Sequence, residues 1–109
     1  MPIRIQLADR LFPVQTFFNS ISDFEFWEIL DHLKNKAGYT IDVCHCRFPI
    51  DLDYDEEPFI GVRFSIYEDS VIISEEEFEL FLNEVAIKQV GKFPDQRSKY
   101  QEYFGNDIT

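Results

Sequence analysis

Between Ile21 and Gly38 the apolar residues Phe26, Ile29, Leu30, Leu33 and Ala37 recur at intervals of three and four. That spacing lays one stripe along a helix. At its head, Ser22-Asp23-Phe24-Glu25 has the spacing of a capping box, with Ile21 and Phe26 placed as a hydrophobic staple. Gly38 supplies a left-handed stop. The same start recurs at Ser74-Glu75-Glu76-Glu77, with Ile73 and Phe78 as the staple pair. It predicts a second helix running to about Val90 and ending at Gly91. The core stripe of that helix is Phe78, Phe81, Leu82, Val85 and Gln89. Leu80 and Ile87 fall roughly opposite, so contact on two faces is expected. Phe12-Pro13 opens a short helical turn through Phe18, and Pro94 permits a last helix up to Phe104, closed by Gly105.

Between the helices the period changes to two. Ile60, Val62, Phe64 and Ile66 alternate with Gly61, Arg63, Ser65 and Tyr67, which predicts a strand. Glu68-Asp69-Ser70 turns the chain, and Val71-Ile72-Ile73 returns as a hairpin partner. Residues Tyr39 to Phe48 form a third strand with a less regular pattern. The expectation is a single α+β domain over residues 1–109, in α-β-β-β-α order, with helices packed on a three-stranded antiparallel sheet.

Composition supports folding. Of 109 residues, 45% are hydrophobic and 17% aromatic, including 12 Phe, whereas disorder goes with few aromatics and little apolar surface. The net charge of −11 is unevenly spread. From Asp51 to Glu84 there are twelve carboxylates against the single basic residue Arg63, and the remainder carries nine of each sign. Such a surface repels phosphates, so neither nucleic acid nor an anionic membrane is a fitting partner; a basic protein is. No apolar run approaches the roughly 18 residues of a membrane span. The stretch MPIRIQLADRLF, broken by Arg4, Asp9 and Arg10, is no signal-peptide core. The two cysteines, close together, fit a reduced cytoplasmic setting.

Chemistry is harder to find. Asp51, Asp53 and Asp55 match the first, third and fifth positions of a calcium loop, but Glu56 stands where glycine is needed and Val62 where the bidentate glutamate belongs. In Cys44-His45-Cys46, a strand turns the cysteines to one face and the histidine to the other, so the three do not converge on a metal. Buried structural cysteines are the simpler reading. Neither a nucleophile elbow, a phosphate loop nor a zinc-protease motif occurs. The expectation is therefore no catalytic residue, no cofactor and no metal. What remains is an acidic surface with interleaved aromatics, Tyr54, Tyr67 and Tyr103, of the type enriched at interfaces. An acidic adaptor for some other basic protein, or a divalent-metal binder, is the alternative.

The run DEEPFIGVRFSIYEDSVIISEEEFELFL resembles the ribonuclease-toxin immunity proteins of bacterial contact-dependent growth inhibition, the CdiI type. The residues carrying the likeness are Asp55-Glu56-Glu57-Pro58-Phe59, Gly61-Val62, Phe64-Ser65, Asp69, Val71-Ile72, Ser74 and Glu77-Phe78. Upstream, FFNSISDFEFWEILDHL is similar to the first helix of that family. The resemblance implies a cytoplasmic immunity protein that binds the C-terminal toxin domain of CdiA. A ribonuclease cleft must attract RNA phosphates and is itself basic, so an acidic protein can occupy it. The candidate partner-facing residues are Asp51, Asp53, Tyr54, Asp55, Glu56, Glu57, Tyr67, Glu68 and Asp69.

Overall fold

The computed structural model describes residues 4–52 and 54–105. In chain order the main elements are α1 (Phe12–Asn19), α2 (Phe26–Lys34), β1 (Tyr39–Ile41), β2 (Cys44–Arg47), β3 (Val62–Ile66), β4 (Asp69–Ile73), α3 (Glu75–Lys92) and α4 (Arg97–Phe104). The architecture is α+β, but the sheet has four strands rather than three. They run in the order β1-β2-β3-β4, each antiparallel to its neighbour.

The extra strand comes from residues 39–48, which fold as a hairpin instead of a single strand. Ile41 pairs with Cys44, leaving only Asp42-Val43 in the turn. Asp42 has φ 54, a left-handed conformation that a short polar side chain tolerates better than most. The β3–β4 hairpin is built alike. Ile66 pairs with Asp69, so the turn is Tyr67-Glu68, with Tyr67 at φ 53. It thus comes earlier than the expected Glu68-Asp69-Ser70, and Asp69 and Ser70 belong to β4.

Strand registers sort the sheet into two faces. Inward lie Cys44 and Cys46, Val62, Phe64 and Ile66, and Ile73, all buried. Outward lie Thr40, His45, Arg47, Arg63, Ser65, Ser70 and Ile72, none of them buried. The helices cover the inward face. Phe64 is the hinge of that packing: its ring centroid is 5.4 Å from Phe17 and 5.6 Å from Phe18 of α1, and 6.2 Å from Phe78 of α3. Phe78 in turn meets Phe48 edge-on at 5.4 Å. Such tilted and edge-to-face pairs add to the burial of the rings themselves.

At α3 the expected start is observed: Ser74 Oγ accepts from Glu77 N at 3.0 Å, and the Glu77 carboxylate returns to Ser74. The helix continues through Gly91 to Lys92, so Gly91 is no terminator. Leu80 remains exposed while Ile87 packs against the core. Ser22 does accept from Glu25 N, but over a turn that precedes α2, which begins at Phe26. Gly38 does not end α2. Lys36, at φ 60, takes the left-handed position. Gly38 is needed for a close approach instead: a Cβ there would meet the Asp51 carboxylate at 2.7 Å and the Cys46 carbonyl at 2.9 Å. Gly105 closes α4 at φ 74, as the sequence suggests.

Three polar residues are buried among the described residues, Arg4, Asn19 and Gln89. Arg4, 4% exposed, donates to the Phe18 and Ile21 carbonyls, to Gln89 Oε1 and to Asp23 Oδ1. Its backbone N–H reaches Asn19 Oδ1 at 2.8 Å. A buried charge is tolerable only when its donors are satisfied in this way.

Candidate functional site

The acidic residues singled out by sequence fall at two ends of the sheet. Asp51, Tyr54, Asp55, Glu56 and Glu57 belong to the β2–β3 connection, residues 48–61, at the end where β3 begins. Tyr67, Glu68 and Asp69 form the β3–β4 tip at the other end, next to the Asp42-Val43 tip. The five-residue β3 separates the groups by roughly 13 Å, at 3.3 Å per residue. Asp53 lies outside the described residues.

Within the connection the carboxylates do different work. Both Arg47 Nη1 and Nη2 donate to the Glu56 carboxylate at 2.9 Å, and Nη2 also reaches the Asp51 carbonyl at 3.2 Å. Planar bidentate pairing of this kind is the strong form of an ion pair. Asp51 Oδ2 accepts from the Phe48 N–H at 2.8 Å, tightening the turn at Pro49–Asp51. Asp55, Glu57 and Tyr54 are exposed, as are Tyr67, Glu68 and Asp69 at the far tip. On α3, Glu75 and Glu79 lie 3.5 and 3.6 Å from Lys36 and Lys34, and Glu77 closes the cap. Negative charge in a first helical turn also suits the helix dipole.

Tyr103, a further candidate aromatic, stacks on Trp27 at 5.8 Å and fastens α4 to α2. Sequence reasoning passed over Arg47, Ile50 and Ile60. Ile60 had been expected on the core side of a strand, yet it is 94% exposed. β3 begins only at Val62, after a bend at Gly61, where φ is +107 and a Cβ would sit 2.2 Å from the Ile73 carbonyl oxygen. The bend is invisible to an alternation count. Its signal in the sequence is the glycine itself.

The uncovered sheet face carries a shallow, solvent-open hollow of about 500 Å³ between Gly38, Thr40, His45, Arg47, Asp51 and Ser65. Thr40 Oγ1 and His45 Nδ1 share a hydrogen bond of 2.9 Å there. Cys44 and Cys46 point the other way, into the core, and both are free thiols. Burial pushes both thiols up from their ordinary value, with Ser20 opposing at Cys44 and the Asp51 charge adding at Cys46. A thiol so placed is a poor nucleophile and metal ligand. Among the described residues no three His, Cys, Asp or Glu side chains are grouped to hold a metal ion. Among them, too, no helix is long and apolar enough to cross a membrane.

The body has two layers, with one open sheet face and acidic residues at both ends of the sheet. Comparison with curated proteins gave no match. A family model described as CDI immunity protein matches residues 10–104, from the turn before α1 to the end of α4. The match spans nearly the whole chain and every element described above, so the chain belongs to the CDI immunity protein family and serves as an immunity protein.

Proposed function

We propose that this immunity protein neutralises a ribonuclease, the C-terminal toxin domain of its cognate CdiA, in the cytoplasm, by covering the basic active-site or RNA-binding face. The observation that carries this reading is the confinement of the entire net charge of −11 to residues 51–84. An enzyme that acts on RNA concentrates positive charge where the phosphates lie. An acidic surface meets that charge and blocks the substrate without chemistry of its own.

The candidate contact residues Asp51, Tyr54, Asp55, Glu56, Glu57, Tyr67, Glu68 and Asp69 suit one footprint. A specific interface covers about 800 Å² on each partner, a patch wide enough to span the roughly 13 Å between the two ends. The open sheet face lies between them.

The test is a cleavage assay with the purified toxin domain on total bacterial RNA. Stoichiometric protection by this chain, lost as salt rises, is the expected result. A toxin domain that binds this chain yet leaves RNA intact and degrades DNA, or permeabilises vesicles, would overturn the ribonuclease reading.

A further inference from the structure

Arg47 and Arg63 are register partners on the uncovered face, so the chain leaving β2 and entering β3 closes on itself as a loop, residues 48–61. The loop is braced from within. Glu56 clamps Arg47, Asp51 holds the Phe48 N–H, and the Arg63 guanidinium lies 4.5 Å from the centre of the Phe59 ring. Glu56, Asp51 and Phe59 are thereby committed to holding the loop's shape.

The outward side is a different set. Ile50 is 83% exposed, Tyr54 102% and Ile60 94%. Apolar surface removed from water stabilises by about 25 cal/mol per Å², and these three side chains forgo it in the folded monomer. Single apolar residues at a surface need no explanation. Three on one loop braced by its own side chains do, since long loops packed in this way are frequently functional. Beside them Asp55 and Glu57 are exposed too.

We propose that Ile50, Tyr54 and Ile60 are the anchors by which loop 48–61 seats in the cognate toxin domain, and that Arg47 is a positioning residue that sets the loop for binding. The inference rests on the immunity reading above and narrows it to one end of the sheet. The charges beside the anchors are negative, so the surface that fits is a protein face with apolar recesses rimmed by lysine or arginine. Nucleic acid is disfavoured because its phosphates would meet Asp55 and Glu57. A second copy of this chain is disfavoured because a two-fold contact would set like-charged loops against each other. Fixing the loop beforehand lowers the ordering cost of association, which is what the Arg47–Glu56 clamp supplies.

The experiment measures affinity for the toxin domain of the CDI system that encodes this chain, by calorimetry or surface plasmon resonance. The variants are Ile50→Ser, Tyr54→Ala, Ile60→Ser, Arg47→Met and the exchange Arg47→Glu/Glu56→Arg, with Tyr67→Ala at the opposite tip and Phe24→Ser as an exposed apolar control elsewhere. Each anchor variant is expected to weaken binding about tenfold or more, as for the central residues of an interface, at an unchanged melting temperature, with Phe24→Ser at wild-type affinity. Arg47→Met should weaken binding and the exchange should restore it in part, a rescue that mere loss of stability would not give. Should Arg47→Met fail to fold, the anchor variants still decide the matter, because side chains this exposed are not needed for folding. Wild-type affinity in all three anchor variants would overturn the inference while leaving the immunity reading intact, and a loss confined to Tyr67→Ala would move the epitope to the opposite tip. A wild-type chain that does not bind the toxin domain at all would sink the immunity reading and this inference with it.

Discussion

Gly61 lies so close to Ile73 that a Cβ on it would stand 2.2 Å from the Ile73 carbonyl oxygen. Its φ of +107 is also one that side chains bearing a Cβ rarely adopt. Gly61→Ala therefore combines backbone strain with a backbone clash, and should cost about 2–4 kcal/mol of folding stability. Gly91→Ala should instead be neutral or stabilising by up to about 1 kcal/mol, because Gly91 is helical and nothing lies within 4 Å of its would-be Cβ. Urea melts of the two variants check the contrast; equal midpoints would refute it.

The two serines at capping-box spacing should differ. Ser74 caps a helix of eighteen residues, whereas Ser22 holds a single turn ahead of α2. Ser74→Ala should cost about 0.5–2 kcal/mol, with Ser22→Ala at or below the low end. The reverse order in denaturant melts would contradict the assignment.

Asp23 bonds both Lys92 and Arg4 at 2.9 Å. The Lys92 hydrogen bond, supported by the Lys92 and Arg4 charges, outweighs desolvation and holds the carboxyl below its ordinary value. A depressed folded-state pKa contributes stability that is present above the unfolded value and lost as pH falls through the folded one. Asp23→Asn should thus be less stable than wild type near neutral pH, and the gap should shrink as pH falls below the ordinary carboxylate range. A gap that is constant with pH, measured by urea melts, would show that the charge contributes nothing.

Cys44 and Cys46 should resist alkylation. Both are buried, and desolvation raises both thiols, so little thiolate forms at pH 8. Iodoacetamide followed by mass spectrometry should label neither in the folded chain and both in guanidinium. Fast labelling of the folded protein would show that the β2 region opens readily.

The loop carboxylates should separate into two classes. Asp55→Asn/Glu57→Gln should slow association with the toxin domain and flatten its salt dependence, leaving the melting temperature nearly unchanged because exposed charges add little to folding. Glu56→Gln should also lower stability, since it breaks the clamp on Arg47. Stopped-flow traces over a salt series, paired with thermal melts, distinguish the two. An on-rate and salt slope at wild-type values in the double variant would show that these charges do not steer the encounter.

Much of this was legible from residue spacing. The α3 cap at Ser74, the strand from Val62 to Ile66 and the Gly105 stop are local features, written in adjacent residues. The first hairpin was not legible, because its turn is Asp42-Val43 with no glycine, and its left-handed residue is an aspartate. Tyr67 conceals the second turn in the same way. The alternation through Ile60 misled because it continues one step beyond a bend that only Gly61 reveals. Of the candidate surface, the acidic residues could be read but not the division of labour among them. That Glu56 faces Arg47 while Asp55 and Glu57 face water depends on how a loop closes between two paired strands.

Arg4 and Gln89 are bonded across 85 positions of the chain. Until α3 is in place, the guanidinium lacks one of its acceptors, and the segment from Arg4 to Ile21 cannot settle fully into its final form. The order of synthesis and the order of completion therefore differ: a segment made before α3 is fully secured only once α3 is in place. Closing so long a span delays folding more than it weakens the finished protein, since loop entropy grows only slowly with length. For a protein that must be ready before its toxin arrives, closure of this contact sets when the molecule reaches its finished form.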